Sequence, residues 1–128
     1  MKDKKILIID DDPQVAESLK KPLIEAGALV SSAQTYATGI TAIKEMQPDA
    51  VILDVMLKEE KTGFDLAKAI LTMPPPHPFI MILTNSINPD GIADAMMETG
   101  VTMFLQKAEN DPRDIVGMIA KHFGQKTI

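Results

Sequence analysis

Four short apolar runs, each closed by polar residues, constrain this chain more than anything else in it. Ile6-Leu7-Ile8-Ile9 ends in Asp10, Asp11 and Asp12, and Ala50-Val51-Ile52-Leu53 ends in Asp54. Phe79-Ile80-Met81-Ile82-Leu83 ends in Thr84, and Met103-Phe104-Leu105-Gln106 ends in Lys107. Continuous apolar runs of this length read as strands buried on both faces, as in a parallel sheet covered by helices. Segments of helical period separate them, so the chain reads as an α/β protein. In such a sheet the C-terminal strand ends form the crevice where ligands bind. An acid cluster, a single acid, a hydroxyl and a lysine should therefore converge on one edge although they are far apart in sequence.

The first strand is expected over about Lys5 to Asp10 and the first helix over Pro13 to Ala26, with Val15, Leu19, Leu23 and Ala26 inward and Gly27 as its stop. Pro22 removes one N–H inside that helix, which predicts a local bend. A short strand near Ala28 to Ala33 precedes a helix over Ala37 to Met46, with Ile40, Ile43 and Met46 inward. Gly63 to Met73 reads as the third helix, its apolar positions being Phe64, Leu66, Ala67, Ile70 and Leu71. Pro74-Pro75-Pro76-His77-Pro78 stops it and reads as a stiff connector rather than a docking motif. Asn88-Pro89 and Asp111-Pro112 each pair a capping residue with proline at the first helical position, predicting helices over Pro89 to Glu98 and Pro112 to Phe123.

A chain of 128 residues is one domain of ordinary size, here read as spanning 1–128 without room for a second, output domain. No apolar run approaches the ~18 residues of a membrane span, and Met1-Lys2-Asp3-Lys4-Lys5 carries no secretory leader. The expectation is a soluble cytoplasmic protein with no membrane contact. Cysteine is absent, which excludes disulfides, thiol catalysis and cysteine metal sites. Thirteen basic against 18 acidic residues give a net charge of −5, and the aromatics are one Tyr and four Phe. That balance argues against direct nucleic-acid binding and for protein partners.

Taken in order at successive strand ends, the four motifs make the chain, from about Lys5 to Phe123, resemble a response-regulator receiver domain, the phosphoacceptor module of two-component signalling. The resemblance implies a flavodoxin-like (βα)5 doubly wound fold, with a five-stranded parallel sheet in order 2-1-3-4-5 and helices on both faces. It implies that Asp54 is phosphorylated, and that Asp10, Asp11, Asp54 and the main-chain carbonyl of Met56 hold Mg²⁺. Thr84 is then the switch hydroxyl, Lys107 the phosphate-binding lysine, and Phe104 the switch aromatic. The implied partners are a sensor histidine kinase or histidine phosphotransfer protein and a downstream output protein or domain. The surface expected to switch is formed by the fourth and fifth predicted helices and the last strand, a face compatible with a phosphorylation-dependent dimer.

The chemistry is coherent with those roles. A carboxylate attacking a phosphoryl group carries like charge to its target, so the phosphoryl oxygens must be neutralised, and a divalent cation and a lysine can do that. Mg²⁺ takes oxygen ligands and only one or two carboxylates, which makes Asp11 and Asp54 the expected direct ligands and Asp10 a ligand through water. Asp12 is read instead as the cap of the helix entered through Pro13. Each residue alone has an ordinary structural reading: a strand-end aspartate is often a turn or cap, a lone lysine a solvated charge, a lone threonine a loop hydroxyl. Their joint occurrence favours the site. Among the methionines, Met81 and Met118 read as core, and one of the adjacent Met96 and Met97 should face outward. His77 and His122 read as surface residues without a catalytic role.

Several positions depart from the family pattern. Lys58 stands where proline is usual, and the loop from Lys58 to Gly63 is one residue longer than the common form. Ala108 replaces the proline that generally follows the lysine, so a trans bond is expected there. Asn85 replaces a small residue after Thr84 and is expected to cover the phosphoryl group partly and slow entry of water or phosphodonor, and Met56 offers no group to orient an attacking water. By the same resemblance, Met56 implies a phosphoryl lifetime of minutes to hours. The competing readings are a phosphate-independent interaction module, a small Mg²⁺-dependent aspartyl phosphohydrolase, and a flavodoxin-like cofactor binder. The phosphohydrolase lacks the second acid after its nucleophile, since Met56 fills that place. In the cofactor binder, Asp10-Asp11-Asp12 would repel a phosphate lacking metal. The chain is therefore read as a signalling phosphoacceptor, not an enzyme that turns over a substrate.

Overall fold

The computed structural model describes residues 1–54, 63–84, 94, 96–98, 101, 103–107 and 110–124. Five strands form one parallel sheet in the order β2-β1-β3-β4-β5, with β1 at Lys5–Ile9, β2 at Leu29–Ala33, β3 at Ala50–Asp54, β4 at Phe79–Thr84 and β5 at Met103–Gln106. This is the expected flavodoxin-like architecture. Helices α1 (Pro13–Glu25), α2 (Tyr36–Met46) and α3 (Gly63–Thr72) follow the first three strands, and the C-terminal helix covers Pro112–His122. Of the helix predicted over Pro89 to Glu98, Asp94 and Met96 to Glu98 are described and are helical.

The pleat of each strand divides the core in two. Ile6, Ile8, Ala50, Ile52, Met81 and Leu83 face α1 and the C-terminal helix, packing with Leu19, Leu23, Ile115 and Ile119. Leu7, Ile9, Val51, Leu53, Ile80 and Ile82 face the other way, packing with Ile43, Leu66, Ala67 and Ile70 of α2 and α3. Burial on both faces explains why β1 and β3 are uninterrupted apolar runs. The edge strand β2 is exposed at Leu29, Ser31 and Ser32, and its sequence is correspondingly mixed.

Helix starts follow the capping chemistry. Asp12 Oδ1 accepts from the Gln14 amide at 2.9 Å with Pro13 at the first helical position, and Asp111 Oδ1 accepts from the Arg113 and Asp114 amides. The chain remains helical through Pro22 to Glu25. The inward residues of α1 are Ala16, Leu19 and Leu23, with Val15 partly buried. Ala26, expected inward, is exposed: the helix ends one residue earlier and Ala26 is its cap, beyond the buried stripe. Gly27, with φ +98°, makes the turn into β2 that a Cβ would strain.

Met81 is fully buried and Met118 partly so, while Met97 is 86% exposed beside a partly buried Met96. Met1 is also buried, packed in the α1-side core. His77 is exposed, with Nε2 2.7 Å from the Met73 carbonyl, and the exposed His122 stacks on Phe79 at 3.8 Å between ring centroids. No helix among the described residues is long and apolar enough to cross a membrane.

Candidate functional site

Three strand ends bring charge to one rim of the sheet. Ile9 pairs with Leu53 across β1 and β3, so the next residues along both strands, Asp10 and Asp54, emerge side by side. Both are buried, at 2% and 4% exposure, although they are acids. Carboxylates in such positions must be compensated. Across the sheet Thr84 at the end of β4 is paired with Gln106 of β5, and Lys107 follows directly.

Lys107 supplies part of that compensation. Its Nζ is 3.0 Å from Asp10 Oδ2 and 3.2 Å from Asp54 Oδ2, bridging two acids from different strands. The other oxygen of Asp10, Oδ1, accepts from the Asp12 amide at 2.9 Å, which ties the carboxylate to the turn that starts α1. Burial raises the Asp10 carboxyl above the usual carboxylate range, helped by the nearby Asp54 charge and opposed by the Asp12 amide and by Lys107. For Lys107 burial works against the charge. Its hydrogen bond to Asp10 and the charges of Asp54 and Asp10 outweigh that cost, so the ammonium is held above its ordinary range.

Asp11 completes the cluster. Asp10, Asp11 and Asp54 each offer a carboxylate oxygen within 4.8 Å of the others, and Asp11 is less buried than its neighbours. An all-oxygen donor set of this kind suits a hard divalent cation such as Mg²⁺. Both oxygens of Asp10 are already engaged by the Asp12 amide and Lys107, which fits a ligand acting through water better than a direct one. Among the described residues, no buried side-chain nitrogen or oxygen lacks a hydrogen-bond partner.

The sequence-predicted residues are thus brought together where they are described. Asp10, Asp11, Asp54 and Lys107 share the rim, Asp12 is the helix cap, and the backbone of Thr84 closes β4 beside them. Met56, Lys58, Asn85 and Ala108 lie outside the described residues. Phe104 lies on β5 opposite Ile82, partly buried against the α2/α3 side of the core. Its ring centroid is 6.2 Å from that of Phe64, the second residue of α3, with the planes tilted by 42°. Sequence reasoning gave Phe64 only a core role, because nothing in the local pattern around either phenylalanine marks the other as its neighbour.

Comparison with known proteins agrees with the fold. A family model described as the response regulator receiver domain matches residues 6–120. The DNA-binding response regulator MtrA of Mycolicibacterium smegmatis is 28% identical over 115 residues, covering 90% of this chain and 48% of the relative. The transcriptional regulatory protein GlrR of Escherichia coli is 30% identical over 102 residues, covering 80% of this chain and 22% of the relative. The chain therefore spans less than half the length of these two relatives. Among solved structures, the CheY-like receiver domain protein from Methanospirillum hungatei superposes with a TM-score of 0.82 at 23% identity, over 95% of this chain and 94% of that one. The BeF3-activated N-terminal receiver domain of RstA from Klebsiella pneumoniae gives 0.80 at 24% identity, over 95% and 100%. At these identities the superpositions establish the fold.

Proposed function

The chain belongs to the response-regulator receiver family, and from that premise we propose that it accepts a phosphoryl group on Asp54 and converts the event into a change of partner-binding surface. The observation that carries the reading is the Lys107 ammonium held between Asp10 and Asp54 beside a third carboxylate, Asp11. This pairs the nucleophile with the cation that a transferred phosphoryl group needs, in a place where water screens them little.

An oxygen of Asp54 attacks the phosphorus of a phosphohistidine or a small phosphodonor, and the bond to the donor's leaving atom breaks as the new O–P bond forms. Asp11 and Asp54 would hold Mg²⁺ directly, Asp10 through water, and the Met56 carbonyl would complete the protein's share. The ion, when bound, neutralises charge on the phosphoryl oxygens. Lys107 can leave the Asp10–Asp54 bridge to pair with the phosphoryl group. The Thr84 hydroxyl donates to a phosphoryl oxygen, and Phe104 follows the space that Thr84 vacates. The donor is a sensor histidine kinase or a histidine phosphotransfer protein, and the reader is an output protein or domain in the cytoplasm. The domain turns over no substrate of its own.

Intact mass after incubation with acetyl phosphate tests the proposal. One phosphoryl group should be gained with Mg²⁺, lost when the metal is chelated, and absent in Asp54→Ala. A folded protein that gains nothing would instead be a phosphate-independent interaction module, with Lys58, Asn85 and Ala108 as the first residues to revert.

A further inference from the structure

We propose that Phe64 is a positioning residue for Phe104, holding the ring of β5 in its unphosphorylated place and so setting how readily the site responds to a phosphoryl group. The inference rests on the phosphoacceptor reading above and adds a control residue that the site's own chemistry does not contain.

The two rings meet as a tilted aromatic pair, 6.2 Å apart with planes at 42°, within the range where ring edge and ring face attract. Their supports are unequal. Phe64 is carried by the first turn of α3, between buried Gly63 and buried Leu66 and Ala67, which anchor the helix to the sheet. Phe104 is on a four-residue strand that, among the described residues, lies at the edge of the sheet and is paired on one side only, with partly buried residues throughout. The helix is the more deeply buried support of the two, and the edge strand the less.

The same strand leads directly into the site. Lys107 stands three residues beyond Phe104, and its ammonium is bound to Asp10 and Asp54. Asp54 is an unmodified carboxylate here, bound to Lys107, so the Phe104 position seen here accompanies the unreacted site. Contact with Phe64 stabilises this arrangement over any other in which the ring has left α3. Residue 64 thereby biases the equilibrium without touching the reacting atoms.

Phe64→Leu keeps an apolar side chain of similar size while removing the ring, and Phe64→Tyr restores the ring. The measurements are the Phe104 ring signals in protein labelled with 13C-phenylalanine, with and without beryllofluoride as phosphoryl mimic, and the rate of mass gain from acetyl phosphate. In Phe64→Leu without the mimic, the Phe104 signals should already lie part of the way toward the mimic-bound positions. Phosphorylation should be faster by a factor of about 2 to 10. Phe64→Tyr should return both toward the native values. In a Phe104→Leu background, Phe64→Leu should leave the rate unchanged. Unmoved Phe104 signals, a rate that is unchanged or slower, or a rate effect that persists without the Phe104 ring would each overturn the inference while native protein still accepts the phosphoryl group. If native protein gains no phosphoryl group and ignores beryllofluoride, the phosphoacceptor reading itself fails and this inference falls with it.

Discussion

The ammonium of Lys107 lies 3.0 Å from Asp10 Oδ2, with the lysine side chain 19% and the aspartate 2% exposed. Two acids and one base share a poorly solvated rim, since Asp54 is 3.2 Å from the same nitrogen. Negative charge is in excess there, and the metal-free protein should be most sensitive to whatever alters that balance.

Removing the base exposes the imbalance. Lys107→Met should destabilise the metal-free protein at pH 7 by about 3 kcal/mol, the usual cost of leaving a buried charge unpaired. The loss should shrink on acidification, because Asp10, already raised by burial, then takes up a proton. Urea unfolding in the presence of a chelator at pH 7 and pH 4.5 measures this, and an equal loss at both values would show that the ion pair is not its origin. A second signature lies at high pH. The raised ammonium contributes stability that is complete below the unfolded lysine value of about 10.4 and is lost as pH climbs through the folded one. Native protein should show that alkaline loss and Lys107→Met should not.

Asp10→Asn should act in the opposite direction. The amide oxygen can still accept from the Asp12 N–H, which Asp10 Oδ1 does now at 2.9 Å; the NH2 group replaces the oxygen that accepts from Lys107, whose ammonium keeps Asp54 as its partner, and the desolvated charge is gone. A carboxyl raised by burial favours the folded state most when protonated, below the unfolded value of about 3.9, and that advantage is lost as pH rises through its folded value. The substitution should therefore stabilise the protein at pH 7 by on the order of 1 kcal/mol and by almost nothing below pH 4. Thermal melts at the two pH values decide it; a gain that is independent of pH would count against the charge argument.

Mg²⁺ should raise the melting temperature, because a ligand that binds only the folded chain stabilises it by mass action. At ten times its dissociation constant the gain is about 1.4 kcal/mol. Asp11→Ala and Asp54→Asn should each abolish most of the shift. Melting curves over a MgCl2 titration are sufficient, and an undiminished shift in both variants would move the ion elsewhere.

Two glycines separate packing from propensity. A Cβ at Gly39 in α2 would lie 3.0 Å from Ile9 Cδ1 and 3.3 Å from Leu66 Cδ2, whereas one at Gly117 in the C-terminal helix meets nothing within 4 Å. Helix propensity alone favours alanine at both by about 1 kcal/mol. Gly39→Ala should nevertheless destabilise by about 1 kcal/mol, since overpacking costs more, and Gly117→Ala should stabilise by about 0.5–1 kcal/mol. Urea midpoints of the two variants should move in opposite directions.

Asn85 gives a kinetic prediction. If its amide shields the phosphoryl group, Asn85→Ala should lose the group several-fold faster at fixed Mg²⁺, as read by intact mass against time. Slower loss in the variant would remove the shielding role.

The legible part of the fold was written in strand interiors. Ile6 to Ile9 and Ala50 to Leu53 are buried on both faces, so composition alone marks them. The site was legible because parallel strands deliver their last residues to one rim: Asp10 and Asp54 needed no contact information to be paired. What escaped depends on contacts or endings. Ala26 fits the periodicity but falls after the helix has stopped, and Met1 opens a polar stretch that gave no sign of its burial in the core. Phe64 and Phe104 come from elements whose mutual distance is set by how α3 lies on the sheet, which local pattern does not encode.

Alternation along the strands assigns Phe104 to one side of the sheet and its neighbours Met103 and Leu105 to the other, against α1 and the C-terminal helix. A displacement that begins at the Phe104 ring would be felt first among α2 and α3, while α1, packed on the opposite face of the sheet, acts as ballast. Hydrogen exchange should see this as a two-speed molecule. Amides around β5 and the first turn of α3 would quicken together on phosphorylation, and those of α1 would keep their pace.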